Sequence, residues 1–145
     1  MDLVWVYDKS GVDWNELSEL YRIAPLGEKS PADLELVFIN SKYMCFIYDV
    51  SRLIGAGRAL SDGSDCSYIC DISVHPEYQG YGLGKQIVQT LVEKSKGHRK
   101  IILYSEPGKE GFYAKLGFKK MNTAMAIFEN EGEAMKKGTI SELLQ

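Results

Sequence analysis

Residues 67–100 read SYICDISVHPEYQGYGLGKQIVQTLVEKSKGHRK, and the way this run folds decides how the rest of the chain must be arranged around it. Its front, Tyr68 to Val74, is rich in β-branched and aromatic residues and reads as a strand. Its back, Leu83 to Lys96, places Leu83, Ile87, Val88, Leu91 and Val92 on one helical face. Between them stand Gln79, Gly80, Tyr81, Gly82, Leu83 and Gly84, where alternating glycines free the backbone to turn and leave its amides uncovered as a helix begins. Unpaired N–H groups and the positive end of the helix dipole then converge on one point, which makes an anion cradle. Each glycine costs up to about 1 kcal/mol relative to alanine, so a bound ligand explains the pattern better than a plain turn. The common nucleotide loops do not fit. A P-loop needs glycine where Gln79 stands, and a dinucleotide loop starting at Gly80 needs glycine where Lys85 stands.

What the residues spell is Gln-x-x-Gly-x-Gly after a strand ending in Val74, and this resembles the pyrophosphate loop of the GCN5-related N-acetyltransferases (GNAT family). The likeness continues at Gly111-Phe112-Tyr113-Ala114-Lys115-Leu116-Gly117-Phe118, which is similar to that family's second signature, a short helix with a tyrosine followed by a Gly-Phe turn. It is strong over residues 53–128 and rests on pattern alone before them. The resemblance implies an α/β fold with a mixed, mostly antiparallel central sheet, two splayed parallel strands and flanking helices. It also implies acetyl-CoA as co-substrate, with its arm along Ile72, Ser73 and Val74 and its phosphates over Gln79 to Lys85. Within the family the motifs look most similar to arylalkylamine (serotonin-type) and glucosamine-phosphate acetyltransferases.

Composition sets bounds. A chain of 145 residues, 45% hydrophobic and 26% charged, is expected to form a single domain over residues 1–145, with 129–145 a peripheral extension. A net charge of −3, with lysines scattered rather than striped, argues against nucleic acid as a partner. Cys45, Cys66 and Cys70 include no C-x-x-C pair, so no zinc site or disulfide framework is suggested, and no metal is expected. No apolar run approaches membrane-spanning length, and MDLVWVYDKS lacks a basic leader, so a soluble, cytoplasmic protein is the expectation.

Taken in order, Leu3 to Tyr7 reads as a first strand, and Asp13 caps a helix with Glu16 completing a capping-box pair. Ser30 and Pro31 start a second helix carrying Leu34, Val37 and Phe38. In the resembling family this helical pair borders the acceptor site; Trp14 and Tyr21 on it read better as core aromatics than as amine contacts. Residues 43–49 and 53–60 form an antiparallel hairpin, in which Gly55 and Gly57 suggest a bulge, a close backbone approach or a weak strand. Residues 100–104, KIILY, read as a strand buried on both faces and parallel to the strand at 68–74 by a right-handed crossover. Residues 118–121 and 124–128 are expected to close a hairpin at Asn122-Thr123. The tail reads as a peripheral helix, a dimer contact or a frayed end.

Acetyl transfer to an amine needs a proton for the departing thiolate and a neutral amine. The resemblance puts Tyr113 near the CoA sulfur, and a phenol with pKa about 10 stays protonated at neutral pH, so Tyr113 is the candidate acid. Alternation along the strand puts Ile69, Asp71 and Ser73 on one face. Asp71, the strand's charged residue, is then a base, an anchor for an ammonium group, or a carboxylate satisfied by loop amides. His75 reads as a loop histidine, and Glu106-Pro107-Gly108 stands where many family members carry an asparagine. The reading reached is an N-acetyltransferase acting on a small primary amine by direct transfer in a ternary complex. A protein or peptide acceptor and a CoA-binding regulatory module without turnover are the alternatives.

Overall fold

The computed structural model describes residues 1–143, which fall into two compact units, Met1–Leu103 and the chain from Tyr104 on. The first unit holds a five-stranded sheet in the order β1 (Leu3–Val6), β2 (Tyr43–Asp49), β3 (Arg52–Ser61), β4 (Cys66–Val74) and β5 (Lys100–Ile102). The first four strands pair antiparallel, and β4 pairs β5 in parallel across the helix α3 (Leu83–Lys94), as the crossover reading required. Two further helices, α1 (Trp14–Ile23) and α2 (Pro31–Ile39), precede β2.

Both early helices start as their sequences dictate. Asp13 accepts from the amides of Asn15 and Glu16, and Ser30 accepts from Asp33 with Pro31 just inside. The capping box does not close. The Glu16 carboxylate instead accepts from the Leu53 amide at 3.0 Å, tying the start of α1 to β3. Leu17, Leu20 and Tyr21 of α1 and Leu34 and Phe38 of α2 pack on Met44, Phe46 and Ala56 on one sheet face. Trp14 lies at this core's margin with its ring 6.0 Å from Phe38.

The other face receives α3 through buried Leu83, Ile87, Val88 and Leu91. Gly55 and Gly57 exist for this contact. A Cβ on Gly57 would stand 2.6 Å from Ile87 Cγ2 and 2.8 Å from Ile72 Cδ1, so helix and strand approach closely where the strand has no side chain. A bulge also occurs here, but in β4: Arg58 pairs with Cys70 and Ala56 with Ser73, leaving Asp71 and Ile72 opposite Gly57 alone.

Three expectations need correction. The bulge shifts the alternation of β4, so Ile69, paired with Ala59, no longer shares a face with Asp71 and Ser73. The last strand is confined to Lys100–Ile102 and is not buried on both faces, because it is the sheet's edge. Residues 118–128 form no strands; Met121, Met125 and Ile127 are exposed, so their alternation has no buried face to stabilise a hairpin.

The second unit holds α4 (Glu110–Ala114) and α5 (Glu131–Lys137), the latter capped by Asn130 and ended by Gly138 at φ 79°. The tail therefore contains a helix, as one of its readings had it. No helix among the described residues is long and apolar enough to cross a membrane.

Candidate functional site

The glycine loop is built as its sequence implies. Gly80 and Gly82 have φ of 89° and 78°, in the left-handed region that favours glycine, and no atom lies within 4 Å of where a Cβ would stand on either. Backbone conformation, not crowding, therefore demands these glycines, and the space above them is open. Gly82 is the N-cap of α3 and supplies no side-chain cap. The first helical bond runs from the Gln86 amide to the Gly82 carbonyl, so the amides of Leu83, Gly84 and Lys85 precede the intrahelical ladder. Gln79 points back rather than outward, its Nε2 donating to the Val74 carbonyl at 3.1 Å and pinning the loop to the end of β4. Tyr81 and Lys85 are exposed on the loop and the first turn, while Leu83 is buried beneath.

The strand that leads into this loop has an open edge. β4 pairs β5 only over Cys66, Ser67 and Tyr68, so on that side Ile69 to Val74 have no strand partner among the described residues. Ile72, Ser73 and Val74 thus run along an unpaired edge, and a 3₁₀ turn at Pro76–Tyr78 links its end to the glycine loop. Ser73 is 3% exposed and its hydroxyl has no hydrogen-bond partner among the described residues.

At the bulge, Asp71 adopts φ 56°. Its carboxylate is already engaged: Oδ2 accepts from Arg58 Nε at 2.7 Å, and Lys29 Nζ lies 3.7 Å from Oδ1. Its carbonyl accepts from the Tyr21 hydroxyl at 2.7 Å. Burial, with the Asp71 charge second, pushes the Tyr21 phenol well above its ordinary value, so this group stays a donor. Arg58 Nη1 donates to Ser41 Oγ at 3.3 Å, which itself donates to the Val37 carbonyl of α2. Beside them the Cys70 thiol is pushed up to about 11 by burial, so it is no nucleophile near neutral pH. Tyr21, Arg58, Lys29 and Ser41 were not among the residues expected at the site. An arginine inside the strand LIGAGRAL was the signal that could have found this cluster.

His75 serves locally: its Nδ1 accepts from the Glu77 amide at the start of a one-turn 3₁₀ segment, and Nε2 lies 2.8 Å from Arg52. Glu110, not a ligand group, organises the 105–110 turn by accepting from the Gly108 amide at 2.7 Å.

Tyr113 belongs to the second unit and lies in α4. The Gly-Phe turn after it is a helix stop: Gly117 has φ 97°, the Phe118 amide donates to the Tyr113 carbonyl, and the Gly117 amide donates to Ala114. Phe112 and Phe118 flank the Tyr113 ring edge to face, with centroids 5.0 and 6.0 Å away. The phenol makes no hydrogen bond among the described residues, and burial raises its pKa above the ordinary value. It is a half-buried, protonated and unspent donor.

The comparisons with known proteins agree on one family. The family model described as Acetyltransferase (GNAT) family matches residues 14–118. The serotonin N-acetyltransferase 2 of Oryza sativa is 41% identical over 115 residues, covering 75% of this chain and 58% of that protein. The GCN5-related N-acetyltransferase 1 of Arabidopsis thaliana is 31% identical over 112 residues, covering 74% of this chain and 57% of that protein. The chain thus spans less than two thirds of the length of these curated relatives. Among solved structures, a GNAT-family acetyltransferase from Streptococcus pneumoniae superposes with a TM-score of 0.76 at 22% identity, over 89% of this chain and 98% of that one. A match this long to the family model, over the stretch that carries both motifs, means that the chain belongs to the GNAT acetyltransferase family.

Proposed function

We propose that this protein transfers the acetyl group of acetyl-CoA to the primary amine of a small molecule, directly, within a ternary complex. The observation that carries this reading is the row of amides at Leu83, Gly84 and Lys85 that no side chain caps, beside the open space above Gly80 and Gly82 and after the unpaired edge of β4. Those amides hold the co-substrate's pyrophosphate, with Lys85 adding positive charge at the rim. The pantetheine arm adds to the β4 edge at Ile72, Ser73 and Val74 as an extra extended segment. The amine nitrogen attacks the thioester carbonyl, the C–S bond breaks, and the departing thiolate takes the phenolic proton of Tyr113. The proton lost by the amine leaves to solvent.

The rice relative's name supports an arylalkylamine as acceptor. The test is release of free thiol from acetyl-CoA against a panel holding arylalkylamines, hexosamine phosphates, and peptides with free N-terminal or lysine amines. Turnover with the first group at the highest kcat/KM is expected. Turnover confined to peptides would move the acceptor to proteins, and CoA binding without turnover on any amine would leave a regulatory module.

A further inference from the structure

Among the described residues, the non-glycine positions with a left-handed backbone are Val50, φ 59°, and Asp71, φ 56°. Val50 is an exposed turn residue between β2 and β3, where the tight turn itself calls for a left-handed residue. Asp71 lies inside a central strand. A left-handed residue there costs roughly 1–2 kcal/mol, less for Asp than for most, and persists only where its surroundings hold it.

The holders come from three directions. Tyr21, fully buried on α1, captures the Asp71 carbonyl. Arg58, its side chain 12% exposed, captures the carboxylate and is itself tied through Ser41 to α2. From the α3 side, Ile72 and Ile87 close over bare Gly57, so the strand cannot relax that way. Both carboxylate oxygens already face cations, Oδ2 accepting from Arg58 and Oδ1 lying 3.7 Å from Lys29 Nζ. That is a poor place for a base and a good one for a fixed brace.

We infer that Tyr21, Arg58 and Asp71 form a clamp that sets the β4 bulge, which makes them positioning residues for acyl transfer and gives the Asp71 carboxylate no part in removing a proton. This rests on the acetyltransferase reading above. The bulge stands three residues before Val74, about 10 Å along the strand from its end at the usual rise per residue. It therefore fixes which backbone groups of the open edge face an arm that starts from the cradle. A slip of a single residue would turn every following group of β4 to the other side.

The test compares the full chain with Tyr21→Phe, Asp71→Asn, Arg58→Gln and the neutral pair Asp71→Asn/Arg58→Gln. The readouts are kcat and KM for the best amine across the neutral pH range, acetyl-CoA affinity, and amide exchange of residues 70–73 in the free protein. Tyr21→Phe loses only a hydroxyl that touches a backbone carbonyl, yet it and Asp71→Asn should each lower kcat by roughly tenfold. The two losses should combine less than additively, with the amine KM and the shape of the pH profile kept and exchange at 70–73 quickened. The neutral pair should regain the thermal stability that Asp71→Asn loses, because the orphaned arginine charge is gone, while its kcat stays low and exchange at 70–73 stays fast, because the clamp is still missing.

An acidic limb on kcat/KM that vanishes in Asp71→Asn, with Tyr21→Phe near wild type, overturns the clamp and makes Asp71 the base. A neutral pair with wild-type kcat and wild-type protection at 70–73 overturns it as well. If Asp71→Asn does not fold, Tyr21→Phe decides by the same readouts. If the wild-type chain releases no thiol with any amine, the acetyltransferase reading falls, and exchange alone judges the clamp: unchanged protection of residues 70–73 in Tyr21→Phe ends it.

Discussion

At the scale of single residues, the proposed site turns on backbone shape at Gly82 and on a proton at Tyr113. Gly82→Val forces a β-branched residue into φ 78° and places its side chain in the open space above the cradle. Stability should drop by about 1–2 kcal/mol from the strained backbone, and calorimetry on the folded variant should show acetyl-CoA affinity lost. Unchanged affinity would remove the cradle from the argument. Tyr113→Phe keeps the ring between Phe112 and Phe118 and deletes only the donor, so kcat should fall by about 10²-fold while CoA binding holds. The pH dependence follows from the direction of the shift. Burial raises the folded-state pKa of Tyr113, so the phenol keeps its proton through the range in which a free tyrosine ionises and loses it only above. Any alkaline fall in kcat that disappears in Tyr113→Phe should therefore lie above a pH of about 10. A fall nearer neutrality that survives the substitution belongs to another group.

Elements impose their own tests. The contact of α3 with the sheet leaves no room on Gly57, so Gly57→Ala should destabilise the protein by about 1–3 kcal/mol through overpacking. Gly55→Ala meets Ile47 Cδ1 at 3.1 Å and can be relieved by a flexible side-chain end, so its melting temperature should fall less. Equal losses at both positions would mean that the helix does not press on Gly57 as described. The same elements show how far local signals reach. Asp13 and Ser30 cap their helices as their residue types and spacing imply, because a cap is completed within a few residues of itself. Glu16 carries an equally good local signal and goes elsewhere, because the Leu53 amide of β3 is there to receive it.

Over the whole molecule, the cysteines report whether the sheet is packed as described. Burial pushes the thiols of Cys45 and Cys70 up to about 12 and 11, so alkylation of the native chain near neutral pH should reach Cys66 first and Cys45 only on unfolding. Early modification of Cys45, read by mass spectrometry, would contradict the packing around β2. What the sequence determined by itself was whatever short-range rules can settle: the strand-to-helix run of 67–94, its amide cradle, the helix caps and the Gly-Phe helix stop after Tyr113. Positive φ at glycine, capping and the helical period act over a few residues and are written in them. Only the tertiary structure decided the bulge at Asp71 and the partners of its carbonyl and carboxylate, which come from 50 and 13 positions away. It likewise decided that β5 is an edge and that residues 118–128 stay unpaired. The physical reason is that pairing, register and burial belong to the neighbour that arrives, and a local pattern states what a strand can offer without naming what will meet it.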